Sequence, residues 1–262
     1  MKIKNRLLTR TAALLLAIVI PAATNAHDMW FELKDFKLSK GSSMECYFPS
    51  DHVFPSSNKE YVPAERVAAS YIVAPSGAMV PIVAAGNNLY RSAQKLSLPG
   101  THLAVTGKQW TYWVKTTEGY IEGKNKSQVK NALQGIYSAK FSKAVIIVDK
   151  PGGNVFSKIV GHELEIIPLK DPGTLVKGDT LPVKVLLQGK PAEMEVKATY
   201  DGYSSKSNVF AEKIKTDQKG MGEIKINKKG KWLIQTSCTE KAADNRFYDE
   251  KMYAATLTFQ IR

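Results

Sequence analysis

The sequence predicts an all-β protein built as two β-sandwich modules, the C-terminal one immunoglobulin-like or transthyretin-like. Three observations predict it. Short apolar or alternating runs rich in Val, Ile, Tyr and Thr recur along the chain. Clusters of Gly, Pro, Asn and Asp punctuate them. No repeat or low-complexity tract is present to suggest a solenoid. With 262 residues, 44% of them hydrophobic, 23% charged and only two cysteines, the chain can bury cores of its own. Collagen-like, coiled-coil, disordered and disulfide-stapled classes are excluded.

Residues 1–26 carry the three-part pattern of an export signal. Lys2, Lys4, Arg6 and Arg10 form a cationic start, Ala12 to Ile20 is an apolar run, and Thr24 and Ala26 are the small residues before the cleavage point. The run is well short of the roughly 20 residues a spanning helix needs, and no later segment approaches that length without charges. The product is therefore expected to be soluble, not membrane-spanning, and exported, with the periplasm as its compartment. Cleavage removes four basic residues and no acid, so the net charge falls from +13 to +9. The lysines are scattered instead of forming one run with interleaved aromatics, so no nucleic-acid partner is expected.

The N-terminal module, residues 27–155, contains strand signals at Met29–Leu38, Arg66–Ala74 and Ala144–Val148. Lys126–Lys140 has modest helical spacing through Ala132, Leu133 and Ile136 and reads as a short helix or an ordered loop. Trp110 and Tyr112 share one strand face and Trp113 takes the other, so one side can be core and the other an exposed platform. The turn-forming Asp149–Asn154 sets a boundary, and residues 156–262 form the second module. Its strand signals are Leu181–Leu187, Glu195–Tyr200, Gly222–Ile226, Trp232–Thr236 and Ala254–Ile261, with a hairpin turn at Thr216–Gly220. Trp232, after a Gly turn, is expected in the core.

Enzyme signatures are weak. GxSxG, Walker and GxGxxG patterns are missing. The SxxK spacings at Ser56, Ser92 and Ser127 lack the SDN and KTG that accompany them in a penicillin-binding site. Glu163 and Glu165 sit two apart on a strand, where solvated or salt-bridged acids are far commoner than a glycosidase pair. No enzymatic activity is proposed from these residues.

Metal chemistry has a better footing. As residue one of the processed chain, His27 would offer an α-amine and an imidazole that together chelate one divalent ion, both deprotonating near neutral pH. A third nitrogen from a second His completes a site suited to Cu(II) or Ni(II). His52, in the Pro49–Pro55 loop, is the candidate second ligand, with Asp51 or Glu45 available to orient its ring. His102 is a further candidate, and His162 reads as a strand-edge residue. No HxxxH, HExxH or CxxC spacing exists, so no local zinc motif is present. Cys46 and Cys238, lone thiols in an oxidising compartment, are expected to pair; otherwise Cys238 is a soft ligand or a buried thiol.

The mature chain resembles the family catalogued as domain of unknown function 4198. The residues carrying the likeness are Ala26-His-Asp-Met-Trp30, Phe48 to Pro55, Tyr137 to Ile146, Gly161-His-Glu-Leu-Glu-Ile-Ile-Pro-Leu-Lys-Asp-Pro172, Val176–Asp179, Leu187–Pro191, Thr216–Gly220 and Gly230–Ile234. Two positions depart from the family pattern: Cys238 stands where many relatives have His, and His102 where an aromatic is usual. The resemblance implies an exported protein of nickel or cobalt uptake, with nickel or cobalt ahead of copper as the bound ion. It also implies an inner- or outer-membrane metal transporter as partner. The rival reading is an envelope binding or adhesion module that recognises a glycan or protein through Trp110 and Trp113.

Overall fold

The computed structural model describes residues 27–262, and the expected signal, residues 1–26, lies outside them. The first half contains β1 (Asp28–Met29), β2 (Glu32–Leu33), β3 (Lys37–Leu38), β4 (Glu45–Tyr47), β5 (Ser50–Asp51), β6 (Tyr71–Val73), β7 (Met79–Gly86), β8 (Leu89–Ser92), β9 (Gly100–Thr116), β10 (Gly119–Glu122) and β11 (Gln134–Val148). The second contains β12 (Leu164–Pro168), β13 (Thr180–Leu187), β14 (Lys190–Pro191), β15 (Glu195–Tyr200), β16 (Glu212–Lys215), β17 (Met221–Lys225), β18 (Gly230–Lys241) and β19 (Glu250–Ile261). The class is all-β, as expected.

Strand chemistry explains most of these elements. Asn87 and Asn88 both adopt positive φ between β7 and β8. That is the two-residue turn whose twist suits a hairpin, and Asn tolerates it better than most residues. Ala144–Val148, the run AVIIV, is apolar at every position because β11 is covered on both faces. The helical expectation for Lys126–Lys140 is corrected: only Lys126–Gln128 form a 3-10 turn, and β11 begins at Gln134. Pairing with β9 and β19 outweighs the weak 3.6-residue spacing there.

Thirteen strands form one sheet in the order β16-β15-β18-β19-β11-β9-β6-β7-β8-β4-β2, with β10 and β3 attached to β9 and β11. This sheet crosses the expected boundary at 155/156, because C-terminal β19 pairs in parallel with β11 of the first half. A four-stranded sheet, β12, β13, β14 and β17, packs on one face of it. The core between them holds Leu164, Val183, Ile224, Trp232, Leu257 and Phe259, together with Leu103, Val105 and Val145 from the first half. Trp232 is fully buried there, and its indole nitrogen donates to the Lys228 carbonyl. A second core lies on the opposite face of β9 and β11, where Ala104, Ala144 and Ile146 meet Phe31, Leu33, Met44, Cys46 and Phe48.

The expected Cys46–Cys238 disulfide is corrected. Both thiols are free and buried, Cys46 in the second core and Cys238 in the first. An oxidising compartment favours bonding only for cysteines whose Cα atoms approach within about 7 Å, and these two are packed in separate cores. Burial pushes the Cys46 thiol pKa up and takes that of Cys238 to about 12, so both stay protonated and unreactive.

Candidate metal centre

The site begins with strand register. Antiparallel β1 and β5 pair Asp28 with Asp51 and Met29 with Ser50. One step outward, the same register sets His27 opposite His52, and cross-strand neighbours share a face. Their ring centroids lie 4.5 Å apart at an interplanar angle of 30°.

Both strands are anchored from below. Alternation along residues 28–31 sends Met29 and Phe31 into the second core, while Trp30 packs with Phe54 and Leu233. The Thr256 and Thr258 hydroxyls donate to the Met29 and Phe31 carbonyls at 2.8 and 3.1 Å. The Phe31 amide donates to the Ser142 hydroxyl at 3.2 Å. Asp28 turns toward β18, accepting from the Gln235 amide at 3.1 Å.

His52 is positioned by its loop. The Asp51 carboxylate accepts from the backbone amides of His52 (2.6 Å), Val53 (3.2 Å), Ser57 (2.8 Å) and Asn58 (3.3 Å), and from the Ser56 hydroxyl (3.0 Å). Burial alone would raise its pKa, but the amides of Ser57, His52 and Asn58 and the Ser56 hydroxyl outweigh burial and hold the carboxyl below its usual range. Asp51 thus shapes the backbone that carries His52, and Glu45 instead forms an exposed ion pair with Lys34.

Electrostatically, charged groups of both signs surround the His27 ring. His27 has an open flank to solvent, yet lost hydration on its inner side, then His52 and Lys140, lower its pKa. The ring is therefore unprotonated at neutral pH, the form that can donate a lone pair to a metal. Burial raises the Asp28 pKa against the opposing pull of Lys140, His52, Gln235 and Lys197. A narrow cleft beside His52 is lined by Asp28, Thr199, Ser204, Lys206 and Gln235, with about 10 Å³ of free space at its floor. That is room for about one water-sized body.

The remaining candidates fall elsewhere. His102 is buried in β9, its Nδ1 3.2 Å from the Gly100 carbonyl, and it pairs with Ile146 on β11. Lys108, level with Lys140 at the His27 end, is six residues further along, about 20 Å at strand rise. The structure thus does not bring His102 together with His27 and His52: it holds a buried strand position far down the sheet. His162 lies against the Phe141 ring at 5.0 Å, and Phe141 faces the first core, on the side of β11 away from Lys140. Among the described residues no group of three or more His, Cys, Asp or Glu side chains is poised to hold a metal. Any third protein donor must come from another kind of group.

Trp110 and Trp113 take opposite faces, as expected from alternation. Trp110 stacks on Tyr137 at 4.7 Å, carries the Lys251 ammonium at 4.4 Å and donates to Glu163 at 2.8 Å. Lys108 lies over the Trp113 ring at 4.8 Å. Intramolecular partners thus already lie on these rings, and Trp110 is half-buried within a ladder with Tyr137, Tyr112 and Tyr248.

Two residues of the site escaped the sequence reading. Asp28 was visible only as part of the His-Asp start, and Lys140 as one more lysine in an alternating strand. Their common feature, burial beside His27, depends on which strand lies over which.

Among solved structures, the chain is similar to the D0-D1 domain of intimin, at 15% identity and a TM-score of 0.23, covering 90% of this chain and 98% of that one. It is also similar to a Salmonella alpha-2-macroglobulin mutant, at 11% identity and a TM-score of 0.24, covering 95% of this chain and 16% of that one. No curated protein matches the chain. No helix among the described residues is long and apolar enough to cross a membrane. The family described as "Domain of unknown function (DUF4198)" matches residues 24–240, a span that includes His27, His52 and Lys140, and the chain belongs to that family.

Proposed function

We propose that the exported, processed protein binds one transition-metal ion as cargo through the α-amine and imidazole of His27 and the imidazole of His52. The observation that carries this reading is the cross-strand pairing of the two histidines, with rings 4.5 Å apart. The donor chemistry fits. Two imidazoles and an amine are borderline nitrogen ligands, suited to nickel, cobalt and copper and poorly suited to calcium or magnesium. The third donor is the amine that cleavage after Ala26 would create, which agrees with the lack of a third side-chain ligand among the described residues.

The resemblance to exported proteins of nickel and cobalt uptake supports nickel or cobalt as the physiological ion, and the donor set also suits copper. In this reading the protein serves metal acquisition or handling in the periplasm and passes its ion to a membrane transporter. No enzymatic step is needed. The test is to titrate processed protein with Ni(II), Co(II) and Cu(II) beside a form with one extra Ala ahead of His27. One equivalent bound by the first and markedly weaker binding by the second is the expected result. Equal affinities would remove the terminal amine from the site, and no uptake by either would end the metal reading.

A further inference from the structure

The end of the molecule remote from the histidine pair carries a basic surface that the proposed function leaves unused. Strand register brings it together. β18 begins at Gly230, opposite Ile261 near the end of β19, so the turn carrying Lys228 and Lys229 lies beside Arg262. β11 runs parallel to β19 and ends at Val148, and β3 pairs Lys37 with Ile147 there. Burial and then Arg262 lower the Lys37 pKa, as a neighbouring cation does. From the four-stranded sheet, the Gly178 amide donates to the Ile226 carbonyl at 2.7 Å and the Ile226 amide to the Asp179 carbonyl at 2.8 Å, which sets Val176 and Lys177 beside the same turn. Lys40 and Lys150 flank Asp149 just past β11, and the Lys40 amide donates to its carboxylate at 2.9 Å.

Lys37, Lys40, Lys150, Lys177, Lys228 and Lys229 are all exposed, and none forms an ion pair among the described residues. The acids of this end are fewer. Asp179 is taken by Lys170 at 3.4 Å and by the Val176 amide at 3.2 Å, which leaves the exposed Asp35, Asp149 and Asp201. The surplus cations sum to a positive field that reaches about a Debye length, roughly 8 Å at physiological salt. Two large aliphatic side chains stand out of the same surface instead of packing beneath it: Val176 is 52% exposed and Leu169 is 40% exposed. Each is followed in the chain by a lysine, Lys177 and Lys170. Lysines around protruding aliphatic tips suit the headgroup region of an anionic bilayer, where phosphates meet the ammonium groups and the tips enter between them. The tips have no counterpart in a sulfated sugar or a nucleic-acid backbone.

We propose that this end of the protein docks on a bilayer surface rich in anionic phospholipid, with Lys37, Lys177, Lys228 and Lys229 on headgroup phosphates and Leu169 and Val176 entering the interface. The inference stands apart from the metal reading. Lys140, at the His27 end, is eight residues back along β11 from Val148, about 26 Å at strand rise, so a docked molecule holds the histidine pair clear of the headgroups.

The experiment is flotation of processed full-length protein with vesicles of phosphatidylglycerol and phosphatidylcholine in equal parts, beside vesicles of phosphatidylcholine alone. Wild type should float with the mixed vesicles only, and less so as salt is raised. A lysine at an anionic surface is worth about a fivefold gain in binding, so Lys228→Gln with Lys229→Gln should bind about 30-fold more weakly. Lys115→Gln with Lys124→Gln makes the same change in net charge at the far end of β9 and should match wild type. Leu169→Ser with Val176→Ser should bind about tenfold more weakly through lost apolar contact. Circular dichroism checks that each variant is folded, and all the replaced side chains are exposed. Equal losses in the two lysine pairs would overturn the inference, because net charge and not this surface would then carry the binding. Equal binding of wild type to both kinds of vesicle would overturn it too. Tighter binding to heparin than to the mixed vesicles, or unchanged binding by the serine pair, would overturn the bilayer in favour of a polyanionic polymer.

Discussion

His27 and His52 are neighbours because one two-residue ladder sets their register, so the site is sensitive to changes at single residues. Replacing His27 by Ala removes an imidazole from a chelate and should weaken Ni(II) and Cu(II) binding by roughly 100-fold, about 2.7 kcal/mol. His162→Ala, on the far side of β11, should stay within about threefold of wild type, and calorimetric titration would separate the two. Asp51 is a stability residue as well. Its carboxylate accepts from four backbone amides, so Asp51→Ala leaves those donors to find water and should cost about 1–3 kcal/mol. Denaturant midpoints would show the loss, and metal affinity should fall with it because the His52 backbone is no longer held. Unchanged stability would mean that the loop holds itself.

β11 is the element on which both cores and the site depend, because its two faces do different work. One face carries Lys140 and Ser142 beneath the N-terminal strand. Lys143 points the other way, where its ammonium meets Glu165 at 2.9 Å with both side chains almost wholly buried. Glu165 also accepts from the Val160 and Gly161 amides, so the pair ties β11 to the start of β12. Lys143→Met alone strands a buried carboxylate and should destabilise by about 3–5 kcal/mol, whereas Lys143→Met with Glu165→Met should recover most of that loss. Beside this pair, burial and then Lys143 depress the His162 pKa from 6.5 to about 4. Its neutral form is the folded one, so between about pH 6.5 and 4 the unfolded chain binds a proton that the folded chain does not. Stability should therefore fall as the pH drops through that window, by about 2 to 3 kcal/mol from this group. Urea unfolding at pH 7 and pH 4.5 would measure it, and His162→Leu should flatten that part of the profile.

At the scale of the molecule, the thirteen-stranded sheet joins both halves of the chain through the β11–β19 pairing. Residues of the first half, Val73, Leu103, Val105, Val145 and Ile147, form part of the core under the C-terminal strands. Separate unfolding of residues 27–155 and 156–262 would expose a broken sheet and a half-filled core, so one cooperative transition is expected. Cys46 and Cys238 report on the two cores independently. Both should resist a thiol reagent in native protein and become reactive at the same denaturant concentration. Labelling of one well before the other would show that the halves unfold separately, and no labelling after full unfolding without reductant would restore the disulfide.

Local chemistry made much of this legible from the residues alone. Alternating Val-, Ile- and Thr-rich runs marked Leu181–Leu187, Glu195–Tyr200 and Ala254–Ile261, because side chains on a half-buried strand repeat every two residues. A glycine turn followed by Trp232 marked a core indole. The position of His27 directly after a signal-like segment, with the Pro49–Pro55 loop carrying His52, was enough to single out the pair. Tertiary structure decided what depends on partners distant in sequence: that β19 joins β11, that the cysteines occupy different cores, that His102 is buried far along β9, and that Lys140 lies under His27. Periodicity reports which way a side chain faces but not which strand covers it, so whether residues 27 and 140, or 46 and 238, come near each other is set by the global packing of sheets.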